Sequence, residues 1–102
     1  MVALLESKRE QIAALCRRYR VRRLEVFGSA ATAAFDAQTS DLDFLVEFYP
    51  LGPGERADAY FGLLEDLQEL LQRPVDLVML RAISNPYFRR AIEQTREVLY
   101  AA

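Results

Sequence analysis

The chain has 102 residues, of which 52% are hydrophobic and 27% charged, and its formal net charge is −2. This composition is ordinary for a globular protein with one hydrophobic core, so we expect a single domain over residues 1–102. The one cysteine, Cys16, cannot form an internal disulfide, and no apolar run approaches the roughly 20 residues of a membrane span. Together these features favour a cytoplasmic protein with no membrane partner.

Histidine is absent from the sequence. Its absence excludes Ser-His-Asp and Cys-His catalysis and every zinc site that contains histidine. Any chemistry must therefore use carboxylates, hydroxyls, basic side chains or a bound metal. The negative net charge argues against direct binding of nucleic acid, which needs a basic surface.

The first third of the chain predicts a helix, a short strand and a turn. Apolar residues at helical spacing predict an amphipathic helix over 3–19. A short strand follows over 24–27, and the alanine-rich segment 29–34 favours a helical turn. The polar side of the helix begins a basic run, which indicates either a solvated face or a partner-binding surface: Lys8, Arg9, Arg17, Arg18, Arg20, Arg22 and Arg23.

The remainder of the chain alternates between strands and helices. The clearest strand is 41–48 (DLDFLVEF), and two prolines with two glycines predict a loop over 49–56. A helix over 57–72, a strand over 75–80 (VDLVML) and a final helix over 86–100 follow, the last one capped by Asn85 and expected to bury Phe88, Ile92 and Leu99. This order predicts an α/β (α+β) fold, a small mixed sheet with helices packed on it.

Two aspartates stand at the start of the clearest strand. Because the side-chain period of a strand is two, Asp41 and Asp43 point to the same face, with Cα atoms roughly 6.5–7 Å apart. At an effective dielectric constant of about 20, two such charges about 5 Å apart repel by roughly 3 kcal/mol. A divalent cation such as Mg²⁺ would compensate them. The alternative is that the Asp-x-Asp sequence only caps a turn before the strand.

Two further features support a site rather than a turn. Gly28 and Ser29 lie where a strand meets a helical turn, a place where the backbone can approach and bind an anion, although most Gly-Ser pairs are ordinary turns. Asp76 stands alone among apolar residues, which predicts a third metal ligand or a base. The alternative for Asp76 is a strand-edge residue that faces water.

These residues together resemble a known family. The segments FGS at 27–29 and SDLDFLVEF at 40–48 resemble the Gly-Ser…Asp-x-Asp signature of the nucleotidyltransferase superfamily, and most closely its minimal members, the MNT domains. The segment RPVDLV at 73–78 is similar to the strand that delivers the third carboxylate of these proteins. The segment NPYFRR at 85–90 also resembles them, so the similarity covers nearly the whole chain.

The resemblance implies the fold and the site. The fold would be the nucleotidyltransferase palm of the DNA polymerase β type. Asp41 and Asp43 would hold two Mg²⁺ ions, and Asp76 would complete this catalytic and metal-binding set. Gly28 and Ser29 would cradle the triphosphate of ATP, the substrate that the resemblance implies.

The resemblance also implies a partner. Many minimal family members are antitoxins that transfer AMP from ATP to a tyrosine of a cognate HEPN-type ribonuclease toxin. A second possibility stays open, in which the chain neutralises its partner by contact alone. Residues 30–34 (AATAA) favour this alternative, because they carry no positive charge where the family usually has an arginine. The basic first helix, Tyr87 and Tyr100 are the candidate contacts.

Overall fold

The computed structural model describes residues 2–31, 41–79 and 82–102, apart from the side chains of Ser29 and Ala30. Within these residues the helices are α1 (Ala3–Ser7), α2 (Arg9–Arg18), α3 (Pro53–Leu71) and α4 (Pro86–Thr95), with a 3₁₀ turn at Gly28–Ala31. The strands are β1 (Val21–Phe27), β2 (Leu42–Phe48), β3 (Val75–Met79) and β4 (Glu97–Ala101). No helix in these ranges has the length and apolar character needed to cross a membrane.

The four strands form one mixed sheet in the order β3-β2-β1-β4. Strand β1 runs antiparallel to both β2 and β4, whereas β2 and β3 run parallel. Because β2 and β3 run parallel, they start at the same end of the sheet, and α3 is the crossover that connects them. The predicted small mixed sheet with packed helices is confirmed.

Strand β2 divides the protein into two layers. Leu42, Phe44 and Val46 alternate along one face and are fully or almost fully buried in the main core. Helices α1 to α3 supply the other side of that core: Leu5, Ile12, Cys16, Leu63, Leu67 and Leu71. Leu45 points to the opposite face, where it forms a smaller cluster with Phe27, Ile83 and Ile92.

The predicted helix over 3–19 is interrupted at Lys8, which separates α1 from α2. The Ser7 hydroxyl donates to the carbonyl of Leu4 at 2.9 Å, a side-chain bond that competes with helix continuation. Strand β1 also begins at Val21, three residues before the predicted start.

The basic run is largely committed to ion pairs on the protein's own surface. Its partners come from α1, β1, β2 and α3, in the pairs Arg9–Glu6, Arg18–Asp66, Arg20–Glu55, Arg22–Glu47 and Arg23–Glu25. This favours the interpretation as a solvated face.

The loop predicted over 49–56 is wrong for its last four residues, because α3 begins at Pro53. Gly52 is the N-cap residue, and proline at the first helical position is favourable, since its fixed φ suits the helix and its missing N–H would have no partner there. The helix ends at Leu71, after which Gln72 adopts a left-handed conformation with φ 54°.

The final helix is wrong beyond Thr95, because residues 97–101 form strand β4 on the free edge of β1. Leu99 is buried as expected, but from a strand. Phe88 is 43% exposed, so its expected burial is wrong. The Asn85 cap is confirmed, since its side chain accepts from the backbone N–H of Tyr87 at 2.8 Å.

Glu25 on β1 binds the segment between α4 and β4 through an ion pair. Its carboxylate is 3% exposed and accepts hydrogen bonds from Arg96 Nε at 2.9 Å and from Arg23 Nε at 3.1 Å. Because Arg96 lies between α4 and β4, this buried ion pair fixes the point where the chain leaves the helix and enters the strand.

We predict that Gly62→Ala destabilises the protein, although alanine is the better helix former by about 1 kcal/mol. A Cβ atom at Gly62 would lie 2.5 Å from Cε1 of Tyr19, and the Tyr19 hydroxyl is held by Asp66. We expect the overpacking to exceed the propensity gain, with a net loss of about 1 kcal/mol in the free energy of unfolding, measured by urea denaturation. Gly54→Ala is the control, because no atom lies within 4 Å of the position that its new methyl group would occupy, and it should be neutral or stabilising.

Candidate active site

The parallel pairing of β2 and β3 places Asp43 directly beside Asp76. Paired residues of neighbouring strands point to the same face, so both carboxylates leave the sheet on the side opposite the main core. Asp41 immediately precedes β2, and the ladder continues to this point because the N–H of Leu42 donates to the carbonyl of Pro74 at 3.3 Å. The sheet therefore brings the three aspartates to one end of one face.

Gly28 lies against this group from the end of β1. Phe27 pairs with Asp43 across the antiparallel ladder, and Gly28 follows with a positive φ of 69°. A Cβ atom at Gly28 would stand 2.9 Å from Oδ2 of Asp43. Glycine is therefore required for both the turn and the close approach of the carboxylate.

The surroundings of Asp43 disfavour its charged form. Burial raises the pKa of Asp43 above its ordinary value of 3.8, and the carboxylates of Asp76 and then Asp41 raise it further. Burial is the largest cause, whereas the sequence had emphasised the repulsion between Asp41 and Asp43. A group whose pKa is raised in this way is one that a bound cation would stabilise in its charged form.

The apolar neighbours of Asp76 in the sequence do not bury it. Strand β3 is an edge strand and Asp76 is exposed, so its carboxylate carries no burial cost. The alternative that Asp76 faces water is correct about its exposure. Asp76 nevertheless pairs directly with Asp43 across the parallel strands β2 and β3. Ser29 lies in the 3₁₀ turn beside Gly28, and its side chain is outside the described residues.

The donor set is compatible with a hard cation. Among residues 2–31, 41–79 and 82–102, no three acidic or cysteine side chains form a ready-made metal-binding group. Mg²⁺ does not require one, because it is usually held by one or two carboxylates together with substrate phosphates and water. The adjacent carboxylates of Asp43 and Asp76 meet that smaller requirement, and the expectation that all three aspartates share the ions stays a prediction.

Sequence reasoning missed two residues of this region, Thr95 and Tyr60. The N–H of Gly28 donates to Oγ1 of Thr95 at 2.9 Å, and the Thr95 hydroxyl donates to the carbonyl of Ala91 at 3.3 Å. This contact ties the end of α4 to the Gly28 turn across 67 positions of sequence, a separation for which no local pattern is a signal. Thr95 is therefore a positioning residue for the turn.

Tyr60 belongs to the rim of the site beside Asp76. Its hydroxyl donates to the carbonyl of Leu77, which lies on the edge strand β3 next to Asp76. Burial raises the pKa of Tyr60, and the negative charge of Asp76 raises it further. The sequence places Tyr60 only within the helix predicted over 57–72, and the available signal is that a tyrosine hydroxyl needs a polar partner when it is buried.

A mixed sheet that carries adjacent aspartates beside a glycine turn defines the class, a nucleotidyltransferase-like α/β domain. A family model described as "Nucleotidyltransferase domain" matches residues 8–99. A candidate protein adenylyltransferase from Methanocaldococcus jannaschii is 40% identical over 79 residues, which cover 76% of this chain and 74% of the relative. The chain therefore belongs to the nucleotidyltransferase domain family and is a nucleotidyltransferase.

Solved structures agree with this assignment. A candidate minimal nucleotidyltransferase superimposes with a TM-score of 0.72 at 32% identity, over 91% of this chain and 90% of the other. A chain from the complex of a tri-AMPylated Shewanella oneidensis HEPN toxin with an MNT antitoxin superimposes with a TM-score of 0.65 at 21% identity. That match covers 96% of this chain and 73% of the other, and at this identity it supports the fold alone.

We predict that Asp43→Asn raises the melting temperature at pH 7 in the absence of metal. The folded state raises the pKa of Asp43, so ionisation of this group costs stability above its unfolded pKa, near 3.8. Below that pH the wild-type carboxyl is protonated in both states and the cost disappears. The advantage of the variant in thermal melts should therefore shrink as the pH falls toward 3.8. A variant that melts lower than wild type at pH 7 would contradict the described environment of Asp43.

A second prediction concerns Thr95. Thr95→Val removes the acceptor of the Gly28 N–H, and we expect the KM for the nucleotide to rise about tenfold, the equivalent of one lost hydrogen bond of about 1.4 kcal/mol. Thr95→Ser keeps the hydroxyl and should restore the wild-type KM. Steady-state kinetics of both variants measure this. Equal KM values for the two variants would show that the hydroxyl has no positioning role.

Proposed function

We propose that this chain transfers AMP from ATP to a hydroxyl group of a protein partner, and that the partner is a cognate HEPN-type toxin which the transfer neutralises. The observation that carries this proposal is the placement of Asp43 beside Asp76 and against Gly28. The M. jannaschii relative, named as a candidate protein adenylyltransferase, supports the choice of protein as acceptor. The choice of partner follows the S. oneidensis complex, in which an MNT antitoxin is bound to an AMPylated HEPN toxin.

Asp43 and Asp76 are the residues proposed to hold Mg²⁺, with Asp41 beside them. When bound, Mg²⁺ neutralises the charge that develops on the phosphate oxygens during transfer. The half-buried Asp43 would hold the ion from the floor of the site, and the exposed Asp76 would hold it from the open side. The surroundings that raise the pKa of Asp43 make its charged form unfavourable, and a bound cation would compensate that charge.

The transfer exchanges a phosphoanhydride bond of ATP for a phosphodiester bond to the acceptor oxygen. The acceptor oxygen forms a bond to the α-phosphorus of ATP, the bond from that phosphorus to the bridging oxygen breaks, and pyrophosphate leaves. The proton of the acceptor hydroxyl goes to a carboxylate. Asp76 is the residue proposed for this role, since it is exposed and lies next to Asp43. The Gly28–Ala31 turn would orient the triphosphate.

Tyrosine is the proposed acceptor. The chain offers an open site rather than a closed one, because Asp41 and Asp76 are both exposed. An open site suits a side chain that a partner protein presents from outside. The protein partner would then supply the surface that orients the acceptor, a requirement that makes transfer dependent on complex formation.

We predict that the purified chain, Mg²⁺ and ATP labelled on the α-phosphate give a labelled HEPN-type partner. Asp43→Ala and Asp76→Ala should reduce the labelling at least 100-fold, whereas Asp58→Asn, an exposed acidic residue of α3, should leave it unchanged. Mass spectrometry of the labelled partner identifies the modified side chain. If wild type gives no label with Mg²⁺ or Mn²⁺ while the complex forms, the proposal is wrong.

Neutralisation by contact alone is the second candidate. The observation that favours it is the composition of segment 30–34, which carries no cation to bind the triphosphate. Under this alternative, Asp43→Asn would protect cells from the toxin as well as wild type does. Under the enzymatic proposal, the variant would retain the complex but lose protection.

A further inference from the structure

Phe88 on α4 is an aromatic side chain that lies close to the proposed site of transfer. It is 43% exposed, and its ring meets the ring of Phe27 edge to face, with centroids 6.2 Å apart. Phe27 is in turn paired with Asp43 across β1 and β2. Directly paired side chains of antiparallel strands lie on the same face, with Cβ atoms about 4.5–5.5 Å apart. Asp43, Phe27 and Phe88 therefore follow one another across one face of the sheet.

Phe88 lies on the flank of α4 that faces the Asp43 end of the sheet. Thr95 follows Phe88 by seven residues, which is about two helical turns, so the two side chains share one side of the helix. Thr95 accepts from the N–H of Gly28, which lies beside Asp43. Arg89, about 100° further round the helix, instead lines a cavity at the opposite end of β2. The exposed part of the Phe88 ring is therefore open toward the site of transfer.

The separation between Phe88 and Asp43 suits a nucleotide. The cross-strand step of about 5 Å and the ring contact of 6.2 Å place the Phe88 ring on the order of 10 Å from the Asp43 carboxylate. With the α-phosphate of the nucleotide at Asp43, as in the proposed transfer, the ribose spans this interval. The base then arrives at the exposed ring of Phe88.

We propose that Phe88 stacks on the base of the bound nucleotide and gives the site a preference for purine over pyrimidine nucleotides. This inference rests on the proposed function, because it requires the α-phosphate at Asp43. An aromatic ring stacks on any base through the π face of the base, and the larger purine covers more of the exposed apolar ring. Phe88 has no hydrogen-bonding group in its side chain, so it does not distinguish adenine from guanine.

Calorimetric titration of the full chain in the presence of Mg²⁺ tests the proposal without a transfer step. The probes are the α,β-methylene analogues of ATP and CTP, in which the bond that breaks during transfer is replaced, and inorganic tripolyphosphate, which has no base. We expect the wild type to bind the ATP analogue about threefold more tightly than the CTP analogue, because the purine stacks more strongly.

Matched variants isolate the ring of Phe88. Phe88→Leu keeps an apolar side chain against Phe27 but removes the stacking surface, and it should weaken binding of the ATP analogue about tenfold without a change for tripolyphosphate. A merely structural role of the ring would weaken both. Phe88→Tyr keeps the ring and should bind as wild type does. Phe61→Leu is the control, because Phe61 is 63% exposed on α3, on the other side of the sheet, and this variant should bind every probe as wild type does.

Three results would overturn this proposal and leave the proposed transfer standing. They are unchanged binding of the ATP analogue by Phe88→Leu, an equal loss for tripolyphosphate, and an equal loss in Phe61→Leu. Absence of any binding of the ATP analogue by the wild type would overturn both proposals. Nucleotide binding without labelling of the partner would contradict the transfer alone.

NMR of the wild type decides the question if Phe88→Leu does not fold. The ring protons of Phe88 should shift upfield when the ATP analogue is added, because a stacked base shields them, and should not shift with tripolyphosphate. The same response to both probes, or no response to either, would contradict the stacking.

Discussion

The two-residue alternation of strand β2 is the constraint on which both the core and the site depend. One set of its side chains, Leu42, Phe44 and Val46, is buried beneath the helices, and burial of apolar surface of this kind drives folding. The other set begins with Asp43. A shift of one residue in the register would exchange the two sets, and would place the carboxylate in the core and Phe44 in the site. Stability of the core therefore fixes the direction in which Asp43 points.

The neighbours of β2 then determine what Asp43 meets. Parallel β3 places Asp76 beside it, and antiparallel β1 ends next to it at the Gly28 turn. A sheet with the same strands in another order would separate these groups. The pKa of Asp43 is raised because burial and two like charges act together, so the site is a locally unfavourable arrangement within a well-packed domain. Such arrangements are common where a protein binds a charged ligand.

Helix α4 and strand β4 close the other side of the sheet and connect it to the site. Glu25 binds Arg96, and the N–H of Gly28 donates to Thr95, so two polar contacts fix the junction between α4 and β4. The helix itself contributes few buried side chains, with Ile92 the buried residue among those described. Its N-terminal turn leaves Tyr87 82% exposed, whereas Tyr100 packs against the main core from β4. Of the two aromatic residues considered as partner contacts, Tyr87 has the surface for it.

The sequence by itself determined helix α3, the helical character of the N-terminal segment, the strands around Phe27, Phe44 and Leu77, the α/β class and the grouping of Gly28 with the aspartates. These features depend on local periodicity, on turn residues and on a signature short enough to be visible in the chain. Strand β4 was not predictable, because residues 96–100 continue a helical pattern without glycine or proline, and only the free edge of β1 converts them into a strand. The exposure of Asp76, the burial of Asp43 and the contact between Thr95 and Gly28 were decided by the tertiary structure, since strand order and packing between distant segments set them and no local pattern encodes either.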